Sequence, residues 1–197
     1  MVNILKEASA SVGVLVHEWA QLPSAALTFS PELLNYCKTN ACGCYNKSWT
    51  CPPACDSTEE QQKKILSYKN VFVFTTKHEI EDSFDYEGMT RGRKLHSLLT
   101  SEVKKRLGGA PVYGAGNCPV CESGAAKAAF TAKAVLTAKE ILTAKTSCAF
   151  PKPCPFPEKQ IGSIEAAGIN VSELSKAADI AYSNGINTVT FFSMVLL

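Results

Sequence analysis

Nine cysteines fall into two groups, and no other feature of the sequence restricts the fold so strongly. The first group lies within residues 37–55 and the second within residues 118–154, with no cysteine between them. In chain order the nine are Cys37, Cys42, Cys44, Cys51 and Cys55, then Cys118, Cys121, Cys148 and Cys154. Four thiolates that meet at one point form a soft site, which suits zinc or an iron–sulfur cluster. Each group therefore has enough thiols to build a metal centre.

Composition narrows the class of protein that carries these cysteines. The chain has 197 residues, of which 46% are hydrophobic and 19% charged, as in globular proteins with a core. The net charge of +2 gives no broad attraction to nucleic acid or to a membrane, and we expect neither as a partner. No export signal or apolar run of about 20 residues is visible, so we expect a cytoplasmic protein. Clustered cysteines in a reducing compartment bind metal or do redox chemistry more often than they form disulfides.

Local patterns predict a chain in which strands and helices alternate. Ser30 and Pro31 begin a short helix that runs into Cys37, and Ser57 with Glu60 forms a capping box for the next helix. The predicted strands are 12–16, 25–29, 71–76, 112–113 and 188–197, and the later helices are 86–107 and 172–182. The apolar run 71–76 predicts a central strand covered on both faces. We therefore predict one α/β domain over residues 1–197, a mixed-sheet sandwich with two cysteine-rich metal-binding loops at the edge or end of the sheet.

A six-residue repeat interrupts this pattern. Residues 123–147 read as an insertion, within which residues 125–147 carry lysines at even spacing. Alanine and lysine favour a helix, but a six-residue period turns its apolar residues in several directions. In a strand the same apolar residues would share one face. The segment is either a protruding helix or stalk, or an assembly element through which copies of the chain form a homo-oligomer.

The second cysteine group has the spacing of an iron–sulfur site. If the repeat is left out so that Glu122-Ser123 joins Cys148 directly, Cys118, Cys121, Cys148 and Cys154 read C-x-x-C-x-x-C-x5-C and are followed by proline. Bacterial ferredoxins use closely similar spacing to hold a 4Fe–4S cluster. A four-cysteine zinc knuckle is the alternative, although zinc sites usually show two separated C-x-x-C pairs. We predict that these four cysteines ligate one 4Fe–4S cluster.

The first group offers five thiols for four positions. We predict as ligands Cys37, Cys42, Cys51 and Cys55. Cys44 is then the spare thiol or a substitute ligand. Bulky neighbours are expected to shield this centre, namely Tyr45, Trp49, Pro52 and Pro53. The alternative is that only part of the group binds metal while the rest is ordinary buried cysteine.

Longer motifs around the cysteines resemble a prokaryotic family described as predicted metal-binding proteins of unknown function. The resemblance covers most of the chain from about residue 28 onward. Its motifs are Asn40-Ala41-Cys42-Gly43, Trp49-Thr50-Cys51-Pro52-Pro53, Gly116-Asn117-Cys118-Pro119-Val120-Cys121, Cys154-Pro155-Phe156-Pro157 and Ser163-Ile164-Glu165-Ala166-Ala167-Gly168-Ile169. Two departures are Cys44, where a non-cysteine residue is expected, and the repeat that splits the second motif. The resemblance implies metal binding, with iron–sulfur chemistry favoured, but names no reaction.

Three functions remain open at this stage. The first is electron transfer between redox partner proteins by a carrier of two 4Fe–4S clusters. The second is an enzyme or enzyme subunit in which one cluster has an exchangeable ligand, with Cys44 as a candidate. The third is a zinc-stabilised structural or self-assembling module. We interpret His17, His78 and His96 as surface or helix residues rather than ligands.

Overall fold

The computed structural model describes residues 1–121 and 148–197, and the predicted insertion over residues 123–147 lies outside the described residues. The helices of this part are α1 (Val2–Val12), α2 (Leu33–Lys38), α3 (Thr58–Leu66), α4 (Tyr86–Arg106) and α5 (Val171–Ala177). The strands are β1 (Trp19–Pro23), β2 (Asn70–Glu79), β3 (Val112–Gly114), β4 (Gly162–Ser163) and β5 (Thr188–Leu196). They form one sheet in the order β1-β2-β5-β3-β4. Only β3 and β4 pair in parallel; the other pairs are antiparallel. The predicted α/β class with a mixed sheet is confirmed.

Strand β2 is covered on both faces, as its unbroken apolar run predicts. Because side chains alternate along a strand, Val71 and Val73 point to one face while Phe72 and Phe74 point to the other. The Val71 face packs with Ile65 of α3 and with residues of α5. The opposite face packs against α1 and α4. The core therefore lies in two layers with the sheet between them.

Both cysteine loops lie on the β4 side of the sheet. The second group begins just after β3, and its last cysteine precedes β4. The loop of the first group joins α2 to α3, and its start is tied to the segment after β4. Phe29 forms a β-bridge with Ile169, and the N–H of Ser30 donates to the carbonyl of Gly168 at 2.7 Å. The fold therefore places two loops that are distant in sequence beside the same short strands.

The predicted N-terminal strand over residues 12–16 is wrong. Helix α1 occupies residues 2–12 instead and buries Leu5 and Ala8, which lie one turn apart on one helix face. Gly13 ends the helix in the left-handed conformation, with a φ of 67°. The predicted strand over residues 25–29 is also wrong, since Ser24–Ala26 form a short 3₁₀ turn. Short apolar runs carry no period that separates strand from helix.

A buried polar cluster joins α4 to the sheet. His96 contacts Thr76 Oγ1 through Nδ1 at 2.9 Å and Ser193 Oγ through Nε2 at 2.8 Å. His78 Nε2 contacts Thr76 Oγ1 at 2.9 Å, and Thr100 Oγ1 contacts Ser193 Oγ at 2.8 Å. Burial lowers the pKa of His96 to about 3, so this imidazole is neutral in the folded protein. His78 and His96 therefore act as hydrogen-bonding residues of this cluster between α4 and the sheet. Within the described residues no helix has the length and apolar character needed to cross a membrane.

Candidate metal centre

The four cysteines of the second group line one small cavity. Cys118 and Cys121 reach it from the chain that follows β3, and Cys148 and Cys154 reach it from the segment that precedes β4. The cavity has a volume of about 10 Å³. The structure thus brings together the four residues that the spacing predicts as one set. That they are metal ligands stays a prediction.

Cys118 is a half-buried thiol of this group that packs against the core. Its side chain packs against the core layer that contains Val120 and Ile161. Burial raises the pKa of Cys118 to about 11, and the neighbouring Cys121 and Cys154 also raise it. The backbone N–H of Ile161 donates to the Cys118 sulfur at 3.4 Å. Hydrogen bonds of this kind stabilise a thiolate and tune a metal centre that it ligates.

The first group is arranged around Cys51, its buried member. Burial raises the pKa of Cys51 to about 12, and charges at Cys44, Cys42, Cys55 and Cys37 raise it further. These effects require the other four thiols to lie near Cys51, because Coulomb interactions weaken with distance. The Cys44 sulfur also donates to the Cys42 carbonyl at 3.5 Å. Cys44 therefore lies among the predicted ligands, and its role as spare or substitute stays open.

Glu165 lies between the two cysteine groups. Its Oε2 accepts hydrogen bonds from the Ser163 hydroxyl at 2.8 Å and from the Gly116 N–H at 3.3 Å. On the first group's side, burial raises the pKa of Cys37, and charges at Cys42 and Glu165 raise it further. The Glu165 carboxylate thus raises the pKa of Cys37 in the first group and also holds the backbone at Gly116, which leads into the second group.

Residues 48–50 connect the groups directly. Thr50, which precedes Cys51, accepts a hydrogen bond on Oγ1 from the backbone N–H of Cys118 at 2.9 Å. Trp49 Nε1 donates to the carbonyl of Lys152 at 3.0 Å, and its ring meets Phe150 edge-on with centroids 5.1 Å apart. Trp49 lines the cavity of the second group, whereas the sequence predicts that it shields the first. The sequence marked Thr50 through its place in the Trp49-Thr50-Cys51 motif, which gave no indication of its partner.

The cysteine thiols suit a soft metal, but the described side chains are not arranged in a geometry that coordinates one. Among residues 1–121 and 148–197, no group of three or more His, Cys, Asp or Glu side chains could hold a metal ion. The cavity of about 10 Å³ is close to the space of one water molecule. None of the nine cysteines forms a disulfide. A metal that binds here must draw thiolates together, and an iron–sulfur cube must also widen the cavity, so binding is coupled to local folding.

The chain was compared with protein families, curated proteins and solved structures. A family model described as "Predicted metal-binding protein (DUF2284)" matches residues 20–197. The match therefore includes both cysteine groups and all five strands except the first residue of β1. No curated protein and no solved structure shows a significant match.

Proposed function

Since this chain belongs to the DUF2284 family of predicted metal-binding proteins, we propose that it carries two 4Fe–4S clusters and transfers electrons between redox partner proteins. One cluster is assigned to each cysteine group. The assigned ligands are Cys37, Cys42, Cys51 and Cys55 in the first group, and Cys118, Cys121, Cys148 and Cys154 in the second. Cys44 is assigned no ligand role in this scheme.

The observation that carries the proposal is the shared cavity of the second group. Two short segments that are separated by the repeat place four sulfur-bearing side chains along the walls of one cavity. Their spacing without the repeat is close to that of bacterial ferredoxins. Single buried cysteines are common in protein cores, but four cysteines that line one cavity with this spacing favour a shared ligand.

A bound cluster supplies one-electron transfer, and the protein residues set its surroundings. The Ile161 N–H donates to the Cys118 sulfur, and the core layer beneath Cys118 excludes water. Thr50 fixes the backbone at Cys118 from a position next to Cys51. These contacts hold the two cysteine groups in a fixed position relative to each other, as electron transfer between two centres requires.

A zinc-stabilised structural module is the second candidate, and the size of the cavity favours it. A volume of about 10 Å³ accommodates one ion with less rearrangement than a cube of iron and sulfide. Four thiolates are also a standard ligand set for structural zinc. Zinc would give a colourless protein with no role in electron transfer.

Anaerobic purification followed by iron, sulfide and zinc analysis distinguishes these candidates. Two clusters predict ~8 iron and ~8 sulfide per chain, with brown colour from thiolate-to-iron absorption. Replacement of Cys118 by Ala should remove about half of the iron, and replacement of Cys51 by Ala should do the same. Cys44→Ala is the matched control, because it removes a thiol of the first group that is not an assigned ligand; its iron content should not change. A colourless protein with about one zinc per group would exclude the iron–sulfur proposal.

A further inference from the structure

A larger cleft, of about 450 Å³, lies between the two cysteine groups. Cys55 of the first group lines it, while Trp49, Thr50 and Gln160 line both this cleft and the cavity of the second group. The other walls come from α3, the end of α4, β3 and β4. Volumes in this range are typical of sites for small ligands. The cleft is too large to be a defect of core packing, and its position beside Cys55 makes it a candidate binding site.

Two lysines reach this cleft from different helices. Lys64 lies in the last turn of α3 and Lys104 in the last turn of α4. Both side chains line the cleft, and burial lowers the pKa of Lys104; the charge of Lys64 lowers it further, while that of Cys118 raises it. Within the described residues, no carboxylate forms a salt bridge with either ammonium group. Two cations that line one cleft without a carboxylate in direct contact are unfavourable, and a bound anion would relieve this cost.

Helix capping alone does not account for this pair. Lys104 Nζ donates to the carbonyl of Ala110 at 2.9 Å, as a lysine near a helix C-terminus often does. That bond uses one of three N–H donors and leaves two for a ligand. Lys63 and Lys105 lie in the same helix turns and can offer the same charge to the helix dipoles. Only Lys64 and Lys104 line the cleft, so the pair has a location that capping does not require.

The remaining polar groups restrict the body of the ligand. Asp56 and Glu158 also line the cleft, and they would repel an anionic group placed beside them. Tyr113 is buried there, and its hydroxyl donates to Gln61 Oε1 at 2.8 Å. An oxyanion is therefore directed to the lysines, while hydroxyl or amine donors of the same molecule can face the acidic residues. A long apolar molecule fits this lining poorly.

We propose that this cleft binds a small polar metabolite through its carboxylate or phosphate group, which Lys64 and Lys104 hold. The binding site does not depend on the identity of the metal. Its position next to a metal centre rests on the proposed function, which assigns Cys55 as a ligand. With a metal in the first group, the bound molecule would lie beside that centre, as a substrate or effector of the centre must.

Calorimetric titration of the metal-loaded full chain tests the proposal with inorganic phosphate and with succinate as separate probes at low ionic strength. We expect saturable binding of at least one probe with one site per chain; the probe that binds more tightly identifies phosphate or carboxylate as the recognised group. The double variant Lys64→Gln/Lys104→Gln should weaken binding at least about tenfold, since it removes the charge-assisted hydrogen bonds of both lysines. The control Lys63→Gln/Lys105→Gln removes the same charge from the same helix turns and should bind within about twofold of the wild type.

Two outcomes would overturn the proposal: no saturable binding of either probe to the wild type, or equal weakening in both double variants. Because Lys104 is half-buried, the single variant Lys64→Gln provides a test in which the altered side chain is exposed. It should weaken binding at least about threefold while the unfolding midpoint stays unchanged. Metal analysis of the same samples separates the two hypotheses: a metal-loaded protein without anion binding refutes only the cleft, and anion binding to a protein that takes up no metal refutes only the proposed function.

Discussion

Replacement of His96 by Gln should reduce the loss of stability in mild acid. The folded imidazole has a pKa of about 3, because burial excludes its charged form, whereas a histidine in the unfolded chain titrates near 6.5. A group whose pKa is lower in the folded state contributes stability above the unfolded pKa and loses that contribution as the pH falls towards the folded one. For His96 the window runs from about pH 6.5 down to about pH 3. Within it the slope approaches 1.4 kcal/mol per pH unit.

Between pH 7.5 and pH 5.0, this titration should lower the free energy of unfolding by ~2 kcal/mol, because the unfolded histidine becomes almost fully protonated while the folded one stays neutral. His78 contributes in the same direction, since burial also lowers its pKa, but it is unchanged in the variant. Denaturant unfolding of wild type and His96→Gln at the two pH values isolates the His96 share as a difference of differences. Any release of metal in acid affects both proteins and cancels to first order.

His17→Gln is the matched control, since His17 is exposed and contacts Asn184 at the surface. The reduction in acid sensitivity should be larger in His96→Gln than in this control. If His96→Gln loses as much as the wild type, the buried neutral state of His96 is wrong.

Three further predictions concern local contacts. Ser57→Ala removes the side chain that caps α3, and thermal unfolding should show a loss of about 1 kcal/mol. Thr50→Val removes the acceptor for the Cys118 N–H; we expect a loss of about 1–3 kcal/mol in denaturant unfolding and a lower metal content, and unchanged metal content would argue against this bond as a support of the second group. Gly168→Ala should destabilise the chain by about 1–3 kcal/mol in the same assay, because the φ of +78° disfavours a side chain and its Cβ would lie 2.5 Å from Thr58 Cγ2.

Local signals in the sequence predict the elements that local physics controls. Ser57 and Glu60 cap α3 reciprocally, as their spacing predicts, because both partners lie within one helical turn. The buried run of β2 was equally clear. The start of the chain was predicted wrongly, since α1 buries Leu5 and Ala8 against α4, a partner that no local pattern reveals.

The cysteine groups show the same division between local and distant information. Spacing alone indicated that Cys118 and Cys154 belong together, and both line one cavity in the structure. Spacing could not identify Thr50 as the acceptor for Cys118 or Glu165 as a neighbour of both groups, because these contacts join residues far apart in the chain. The cleft beside Cys55 was also missed, since its walls come from helices, strands and loops that only the fold brings together.

The hydrogen bond from the Cys118 N–H to Thr50 links the backbone of the second cysteine set to the residue that precedes Cys51 in the first set. If both sets bind metal as proposed, filling either one would fix Thr50 in place and lower the entropy that the other set has left to lose. Loading should then be cooperative, with half-filled molecules scarce at intermediate metal supply. Loss of metal from one set should likewise weaken metal binding by the other, so the two sets would load and release metal together.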